Sequence, residues 1–532
     1  MIMEKPGLIF IAFSLLLFVN TAALAQTLGT THLLEGNSAG SDSVVLSVTP
    51  TNFPWTATTN ASWLHLSAGN QSGAGSTNVV FTFDANLGAT RTGTLAIAGQ
   101  TLTVTQAGST YVAANQVTTL VSLGQSVPTS VAVDGAGNVY IADFGVTETS
   151  SATIKQWTPA SNTLSTLVST GLTGFCGVAV DGVGNVYIAD SGNSAIKKWT
   201  VASNTVSTLV SSGLNGPYSV AVDAAGNVYI ADTSNNAIKE WLAVNGTVTT
   251  LVSSNLDYPE GVAVDEAGNV YIADFSNNTI KEWTVVNNTV TTLASASSSA
   301  VAVDGAGNAY YLDLNFFNNV IKEWTAASGT VTTLVSSGLG GPTAYGVAVD
   351  GTGNVYIADS WNHAIKELPR AFVDPTVKSE TAFAGSDALP VVLPATANLT
   401  GPFAPVSDSP WLTLTGSANG VVSFAFTANP FDTSRTANIS LLGQTIPVTQ
   451  SAALVTPPNL TGLTILGNGA FQFGFTNNQG AAFTVLTTTN LLLPLTNWTV
   501  LSTLTNNGSG QYQFTDLTAT NGGQRFYRVS SP

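Results

Sequence analysis

One four-residue phrase recurs six times and constrains the fold of this chain more than any other feature. Val-Ala-Val-Asp ends at Asp134, Asp181, Asp223, Asp265, Asp304 and Asp350, at intervals of 47, 42, 42, 39 and 46 residues. The first five copies each contain four short strand-like runs, which in the second copy are Val178–Val180, Val186–Ala189, Ile196–Trp199 and Val206–Val210. A period near 40 with four strands per unit is typical of the blades of a β-propeller.

The phase of the repeat predicts a closed ring of six blades. The sixth copy ends at Leu368, with Pro369 in place of a fourth strand, while an extra strand-like run, Val117–Val121, precedes the first copy. We therefore expect the two ends of the repeat region, residues 111–372, to share one blade. Closure of this kind removes the exposed strand edges that would otherwise pair with other chains.

The first two runs of a blade, Val131-Ala-Val and Val139-Tyr-Ile-Ala, are apolar at every position, and this pattern is typical of sheets covered on both faces. Between the strands, Asp134–Asn138 has the glycines and the Asp and Asn side chains of a turn. With Gly261–Asp265, Gly268–Asp274 and Asn277–Ile280, the repeat resembles the NHL family of propellers. The resemblance implies the fold only, since that family includes sensors, nucleic-acid binders, ligand-binding ectodomains and a few enzymes.

The negative net charge of the chain argues against one class of binding partner. The chain has a net charge of −16, and residues 111–372 contribute 20 Asp and Glu against 8 Lys and Arg. Because phosphate binding requires a basic face, we expect no nucleic-acid partner.

The first 25 residues have the pattern of a secretory signal. Lys5 precedes an apolar run, Leu8–Val19, and Ala23-Leu-Ala25 is a small-residue cleavage site. We therefore expect an exported monomer without a membrane span in its mature form. Cys176 is the one cysteine, so no intrachain disulfide can form. We expect Cys176 to be a small strand residue, with a reactive thiol as the alternative.

Two similar segments flank the repeat region, at residues 27–108 and 374–452, and their strand and turn spacing predicts small β-sandwiches. Ser62-Trp-Leu matches Pro410-Trp-Leu, and Gly99–Gln106 matches Gly443–Gln450. The pattern resembles BACON-type domains, through Asn86, Gly88, Arg91 and Gly93 in the first copy. The second copy departs from it, since Pro430-Phe431 follows Asn429 and Ala437 replaces the glycine. The resemblance implies an extracytoplasmic immunoglobulin-like module with a carbohydrate- or mucin-binding role.

The last segment, residues 459–532, follows a Pro-rich linker. Its strand-like runs include Phe471–Phe475 and Phe526–Val529. This segment resembles the fibronectin-III-like domains at the end of many secreted bacterial proteins, which implies a third small sandwich and a bacterial source. The predicted fold class is therefore all-β, a six-bladed β-propeller plus three small β-sandwich domains.

Few residues for catalysis are available in the predicted propeller. Its one histidine is His363, so the histidine chemistry of streptogramin-lyase-like propellers is not available. Gluconolactonase-like propellers hold a divalent metal with Glu, Asn and Asp at the channel mouth, and such residues are present. We predict no cofactor, with a divalent cation as the alternative. The Asp and Trp residues that recur in every blade are predicted to stabilise the blades.

Function is therefore expected where the copies differ. Strand order places the connections between second and third strands, and those between blades, on one face of the ring. The second position before each Val-Ala-Val-Asp holds Thr129, Cys176, Tyr218, Glu260, Ser299 or Tyr345. Predicted ligand-binding residues on this face are Phe144, Tyr218, Glu260, Phe275, Phe316, Phe317, Tyr345 and Trp361. Aromatic rings near acids suit ligand binding, and packing over the blade tops is the alternative.

These observations favour an exported, non-enzymatic binding or scaffold protein that recognises a glycan or a surface protein. The first sandwich is a further candidate contributor through Trp55, Trp63 and His65. The alternative is a metal-dependent hydrolase or lactonase of the gluconolactonase type with Glu260 among its ligands. A structural surface protein without a specific ligand is the third hypothesis.

Overall fold

The computed structural model describes residues 25–145, 151–314, 319–341, 346–453, 457–477, 481–505, 510–519 and 523–530. Strands make up nearly all of the regular structure, which confirms the predicted all-β class. The described helices are short 3₁₀ turns at Ala68–Asn70, Ser191–Asn193, Thr233–Asn235, Gly401–Phe403 and Leu495–Asn497. In the described part of the chain, none has the length and apolarity needed to cross a bilayer.

Nine strands build the first flanking segment. They are β1 Ala25–Leu28, β2 His32–Glu35, β3 Gly40–Thr49, β4 Pro54–Thr59, β5 Leu64–His65, β6 Ser72–Ala74, β7 Thr77–Phe83, β8 Arg91–Ile97 and β9 Gln100–Gln106. They form two sheets, β1-β3-β7-β5 and β2-β9-β8-β4-β6. Residues such as Leu46, Phe81 and Leu95 fill the space between the sheets.

The repeat region follows β10 Val112–Ala113 and β11 Thr118–Ser122. Its first three sheets contain β12 Val127–Val133, β13 Val139–Phe144, β14 Thr153–Thr158, β15 Thr163–Val168; β16 Cys176–Val180, β17 Val186–Asp190, β18 Ala195–Thr200, β19 Thr205–Val210; and β20 Pro217–Val222, β21 Val228–Asp232, β22 Ala237–Trp241, β23 Val248–Val252. The others contain β24 Pro259–Val264, β25 Val270–Asp274, β26 Thr279–Thr284, β27 Thr289–Ser295; β28 Val301–Val303, β29 Ala309–Asp313, β30 Val320–Thr325, β31 Thr330–Val335; and β32 Gly346–Val349, β33 Val355–Asp359, β34 Ala364–Leu368.

These strands form antiparallel four-stranded sheets arranged in a ring. The innermost strands β12, β16, β20, β24, β28 and β32 contact one another in that order, and β32 contacts β12. The last sheet has the order β11-β34-β33-β32, so a strand from the start of the region completes it. The Val-Ala-Val segments of the innermost strands line the central channel.

The second flanking segment repeats the sandwich. After β35 Phe372–Val373 come β36 Lys378–Glu380, β37 Gly385–Ala388, β38 Val406–Ser407, β39 Leu412–Ala418, β40 Val421–Phe426, β41 Arg435–Leu441 and β42 Gln444–Gln450. They form the sheets β36-β42-β41-β38 and β37-β40-β39. Each copy contains one parallel pair of strands, β2 with β9 in the first copy and β36 with β42 in the second.

The last segment contains two three-stranded sheets. Its strands are β43 Thr461–Ile465, β44 Phe471–Thr476, β45 Ala482–Thr488, β46 Thr499–Thr505, β47 Gln511–Asp516 and β48 Phe526–Ser530. The sheets have the orders β43-β44-β47 and β46-β45-β48, with Phe473, Phe475 and Phe483 buried between them. The fibronectin-III-like assignment stays a prediction.

In four blades the aspartate that ends the second strand clamps the preceding loop. Asp274 Oδ1 accepts the backbone N–H of Asp257 at 2.8 Å, and its Oδ2 accepts Asn277 Nδ2 at 2.8 Å and the ammonium of Lys281. The same clamp recurs at Asp190 with Asn193 and Lys197, at Asp232 with Asn235 and Lys239, and at Asp359 with Asn362 and Lys366. These repeated residues stabilise the blades.

The recurring tryptophans pack between blades. Trp199 of β18 lies against Tyr140 and Ile154 of the preceding sheet. Its indole N–H donates to Asn204 Oδ1 at 2.9 Å. The indoles of Trp157 and Trp283 make the same bond, to Asn162 and Asn288. The ring of tryptophans thus has a structural role.

The turn aspartates accept hydrogen bonds from a tyrosine of the next strand, and that tyrosine meets a further side chain. Asp304 Oδ2 accepts the Tyr310 hydroxyl at 2.9 Å, and Glu323 lies 3.2 Å from the same hydroxyl. At the position of Glu323 the second blade has Lys198, whose ammonium donates to the Tyr187 hydroxyl at 2.8 Å. Since a tyrosine has one proton, a glutamate here must be protonated to donate in the same way.

Both sandwiches contact the face that carries these turns. Ser43 Oγ donates to the carbonyl oxygen of Ala306 at 2.7 Å, and Gly29 packs directly against Gly305. In the second sandwich, Gly443 packs against Gln116 beside the propeller. The segments before and after the ring pair with each other as β10 and β35.

Removal of one clamp should unfold the ring at a lower temperature. We expect Asp274→Ala to lower the free energy of unfolding by about 3 kcal/mol, because it leaves the buried ammonium of Lys281 without its counter-charge. Thermal unfolding followed by circular dichroism measures the change. Asp257→Ala is the control, because this side chain is exposed and only its backbone bonds to Asp274. Equal unfolding temperatures for the two variants would contradict the clamp.

The buried glutamates should make the ring less stable at high pH. Burial, with a smaller contribution from the neighbouring turn aspartate, raises the pKa of Glu282 to about 7 and that of Glu367 to about 8. Stability is therefore complete below about pH 4.5 and falls as the pH rises through these two values. Glu282→Gln combined with Glu367→Gln should raise the unfolding temperature at pH 9 by about 3 °C or more and flatten its pH dependence.

The reverse change supplies the control for that experiment. Gln156 occupies the equivalent position in the first blade and donates to the Tyr140 hydroxyl. Gln156→Glu should steepen the loss of stability between pH 5 and pH 9. A pH dependence that neither change alters would show that these carboxyls ionise freely.

Candidate functional site

A cavity of about 230 Å³ opens at the channel mouth, on the face opposite the turns. Positions that precede the Val-Ala-Val-Asp phrase contribute most of its wall. The lining residues are Thr129, Phe175, Cys176, Tyr218, Tyr258, Glu260 and Ser299. Five of the six equivalent positions identified in the sequence therefore converge, and the sixth, Tyr345, lies outside the described residues.

Local irregularity of the innermost strands places these side chains. In the pairs β12–β13, β20–β21 and β24–β25 the register shifts at Thr129, Tyr218 and Glu260, respectively. Such a bulge leaves one residue unpaired and re-aims its side chain. A proline precedes each of the three, at Pro128, Pro217 and Pro259, and it begins or nearly begins the strand, where no ladder donor is required.

Four aromatic side chains form a continuous row along one side of the cavity, which we call the aromatic row. Phe144 and Phe175 stack with ring centroids 5.3 Å apart and an interplanar angle of 23°. Phe175 lies 6.5 Å from Tyr218, which meets Tyr258 edge-on at 5.9 Å. The two tyrosine hydroxyls are 3.3 Å apart. This hydrogen bond, together with burial, raises the pKa of Tyr218 to about 12, so its hydroxyl is neutral at physiological pH.

Tyr258 occupies an unfavourable backbone conformation. Its φ is 55°, in the left-handed region that a bulky residue rarely adopts. The second and third blades have Gly174 and Gly216 at the equivalent place, with φ of 72° and 57°. A tyrosine where a glycine would serve costs on the order of 1 kcal/mol, and residues held in this way concentrate at functional sites.

Glu260 is the one ionisable carboxyl on the described cavity wall. No hydrogen bond or counter-charge from the described residues accompanies its burial, and burial raises its pKa to about 7. A carboxyl poised near neutrality in a cleft is a candidate for a functional role.

Three small side chains complete the cavity wall. The hydroxyl of Ser299 is buried and has no hydrogen-bond partner in the described chain. The hydroxyl of Thr129 donates to the carbonyl oxygen of Cys176 at 3.0 Å. Burial raises the pKa of the Cys176 thiol to about 12, which favours the structural interpretation of this cysteine over a reactive thiol.

The eight predicted ligand-binding residues separate into three groups by their place in the structure. Tyr218 and Glu260 lie in the cavity, and Phe144 joins it through Phe175. Phe275 is half-buried at the end of β25, and Trp361 is 59% exposed with its ring over Gly340 and Gly341, so neither lines the cavity. The remaining predictions, Tyr345, Phe316 and Phe317, lie outside the described residues.

Tyr258 and Phe175 are the cavity residues that the sequence analysis did not identify. Phe175 lies one residue before Cys176, and Tyr258 lies two residues before Glu260, so neither occupies the position that was compared between the copies. A signal for Tyr258 is present in the sequence, since Tyr258-Pro259 stands where the third blade has Gly216-Pro217. An aromatic residue in a glycine position of a repeat would have identified it.

Among the described residues, Glu260 does not belong to a cluster of metal-binding side chains. In the part of the chain that the structure describes, no three His, Cys, Asp or Glu residues lie together where they could hold a metal ion. Asp257, the nearest acid in sequence, is exposed and does not line the cavity. The described residues therefore do not fit the metal site of the lactonase alternative.

The aromatic residues of the sandwiches serve their own folds. Trp55 is buried and donates to the carbonyl oxygen of Gly75. Trp63 is half-buried beneath the guanidinium of Arg91, at 4.4 Å, and Trp411 lies beneath Arg435 at 4.3 Å. His65 pairs with Asp84 on the surface.

The second sandwich retains the same internal support despite its departures in sequence. Asn429 donates to the carbonyl oxygens of Thr433 and Ser451, as Asn86 donates to those of Ala89 and Ala107. The asparagine that the two copies share therefore stabilises both sandwiches.

Comparison with known families agrees with this architecture. The BACON family, described as "Putative binding domain, N-terminal", matches residues 53–107 and 404–451. The NHL repeat family matches residues 256–283 and 345–368. The chain contains BACON domains and NHL repeats. No curated protein matches the sequence significantly.

Several solved structures match parts of this chain at low sequence identity. A protein of unknown function from Bacteroides thetaiotaomicron is 15% identical, with a TM-score of 0.41 over 65% of this chain and 98% of its own. A structure described as a "putative gluconolactonase" is 13% identical, with a TM-score of 0.38 over 47% and 91%. A chain of a nidogen/laminin complex is 18% identical, with a TM-score of 0.37 over 42% and 87%.

Relief of the backbone strain at Tyr258 should compensate for the lost ring. We expect Tyr258→Gly to change the free energy of unfolding by less than about 1 kcal/mol, since the edge-on contact with Tyr218 and the left-handed φ contribute with opposite signs. Chemical denaturation measures this change. Tyr229→Gly is the control, because this buried tyrosine has no such strain and its loss should be strongly destabilising. A similarly large loss for Tyr258→Gly would show that Tyr258 packs a core.

Proposed function

We propose that this BACON- and NHL-containing protein is exported and acts as a binding or scaffold protein without enzymatic activity. We further propose that it recognises a glycan or a surface protein at the channel mouth of the propeller. The observation that supports this most directly is the aromatic row beside the unpaired carboxyl of Glu260 in one open cavity.

The division between repeated and variable residues supports a ligand site on this face. The repeated aspartates, lysines and tryptophans are engaged in hydrogen bonds within or between blades. The variable residues before each Val-Ala-Val-Asp phrase meet at the cavity instead. A scaffold that holds variable side chains at one mouth suits recognition.

The chemistry of the wall suits both proposed ligand classes. Flat aromatic rings stack on sugar faces and also anchor side chains of a protein partner. The sandwiches contact the opposite face, so the cavity face is available to a partner of substantial size.

Loss of the aromatic wall should abolish binding without unfolding the protein. In glycan-array and surface-protein binding assays on the purified chain, we expect Tyr218→Ala combined with Tyr258→Ala to weaken ligand binding at least tenfold, about 1.4 kcal/mol, because both rings line the cavity. The unfolding temperature should fall by no more than about 3 °C, because both rings border the open face. Phe383→Ala is the control, since this aromatic residue of the second sandwich is 75% exposed.

Two results would contradict the proposal. Full ligand binding by the double variant would place the site elsewhere, and domain deletions would then locate it. A stoichiometric divalent ion in the purified protein that is lost in Glu260→Gln would favour the lactonase alternative, which a lactone substrate screen would then test.

A further inference from the structure

The channel-mouth cavity has a negative group without a protein counter-charge. Among the described lining residues, Glu260 is the one side chain that can carry a formal charge at neutral pH, because burial raises the pKa of the Cys176 thiol and the hydrogen bond with Tyr258 raises the pKa of the Tyr218 hydroxyl. By contrast, the carboxylates that end the second strands at Asp190, Asp232, Asp274 and Asp359 each bond to a lysine. A carboxylate buried without a cation is costly, and a cationic ligand would remove that cost.

The remaining wall offers what an ammonium group requires. Tyr218, Tyr258 and Phe175 present aromatic rings, and a cation is attracted to the face of such a ring within about 6 Å. Ser299 is nine-tenths buried, and its hydroxyl oxygen, which has no partner in the described chain, can accept one N–H. An ammonium has three donors and no acceptor, which matches a wall of acceptors and rings.

Other ligand classes fit less well. The carboxylate of Glu260 repels anions, and a hydrated metal ion would find one carboxyl and a wall of rings among the described residues. A cavity of about 230 Å³ is smaller than the roughly 300–1,000 Å³ of sites for drug-sized ligands. It has room for the end of a side chain or one sugar ring.

We propose that the cavity binds a primary ammonium group, supplied by a lysine side chain of a protein partner or by an amino sugar. Glu260 bonds to the ammonium, Ser299 accepts a second N–H, and Tyr218 and Tyr258 stack against the attached methylene groups or ring. This inference rests on the proposed binding function of the propeller face and specifies the ligand group recognised there.

Small-molecule probes test the inference and separate the two sources. Binding to the full chain at pH 7.5 is measured by ligand-observed NMR and calorimetry. The lysine probe is Nα-acetyl-lysine methylamide, with its Nε-acetylated form as the neutral partner. Glucosamine and N-acetylglucosamine form the second pair. We expect at least one cationic probe to bind about tenfold or more tightly than its neutral partner, since a charge-assisted hydrogen bond is lost on acetylation.

Matched substitutions assign that preference to the cavity. Glu260→Gln should reduce the binding of the cationic probe at least tenfold and remove the preference over the neutral probe, while the unfolding temperature stays equal or rises. Glu282→Gln is the control, because it removes one buried carboxyl outside the cavity and should leave probe binding unchanged. Ser299→Ala should weaken the cationic probe by a smaller factor, about threefold.

The outcomes are distinct from those of the array experiment. Equal binding of cationic and neutral probes, undiminished binding by Glu260→Gln, or no binding of either cationic probe would each overturn the ammonium assignment. A ligand lost in the Tyr218→Ala and Tyr258→Ala double variant but retained in Glu260→Gln would overturn it while the proposed function stands. Preference for the lysine probe identifies a protein partner, and preference for glucosamine identifies a glycan.

Discussion

The constraint on which this architecture depends is the closure of the ring by a strand from its own beginning. β11 pairs with β34, so the last sheet contains strands from both ends of the repeat region. Without this pairing, β34 would expose an unpaired edge to other chains. Closure also brings the incoming and outgoing segments together, where β10 and β35 pair. Both sandwiches consequently lie at one side of the ring, and the cavity opens on the other.

Residues that recur from blade to blade make most of the hydrogen bonds that the buried polar groups of a blade require. Each clamp aspartate satisfies a backbone N–H, an asparagine and a lysine, and each turn aspartate satisfies the turn amides and a tyrosine hydroxyl. Buried polar groups of this kind must be paired within the blade or destabilise it. The positions left free to vary are those that face the channel mouth, where no neighbouring blade fixes the identity of the side chain. The cavity is therefore where the blades can differ without loss of the fold.

Strand number, strand order and the convergence of Tyr218 and Glu260 could be predicted because the repeat sets the register of every blade. Once the register is known, equivalent positions must lie at equivalent heights in the ring. Phe275 and Trp361 could not be placed in the same way, since they belong to connections whose path depends on local packing. Trp361, for example, lies over two glycines, Gly340 and Gly341, and not over the channel. Tyr258 was missed because it lies two residues before the compared position, where the second and third blades have glycines with positive φ.

The raised pKa values of the buried glutamates have two different physical meanings. Glu323 lies beside the Tyr310 hydroxyl, so a protonated carboxyl there completes a hydrogen-bonded chain with Asp304. Its raised pKa reflects burial in a site that is satisfied when neutral. Glu260 shows a shift in the same direction, but no described side chain donates to it or accepts from it.

A carboxyl of the first kind needs nothing from outside the protein, whereas one of the second kind is satisfied only by solvent or by a ligand. Because Glu260 is partly buried beside aromatic rings, a ligand that brings its own positive charge and N–H donors gains more there than it would at a fully exposed acid. The partnerless state of Glu260, more than the direction of its pKa shift, is therefore what distinguishes a recognition site from the structural acids of the blades.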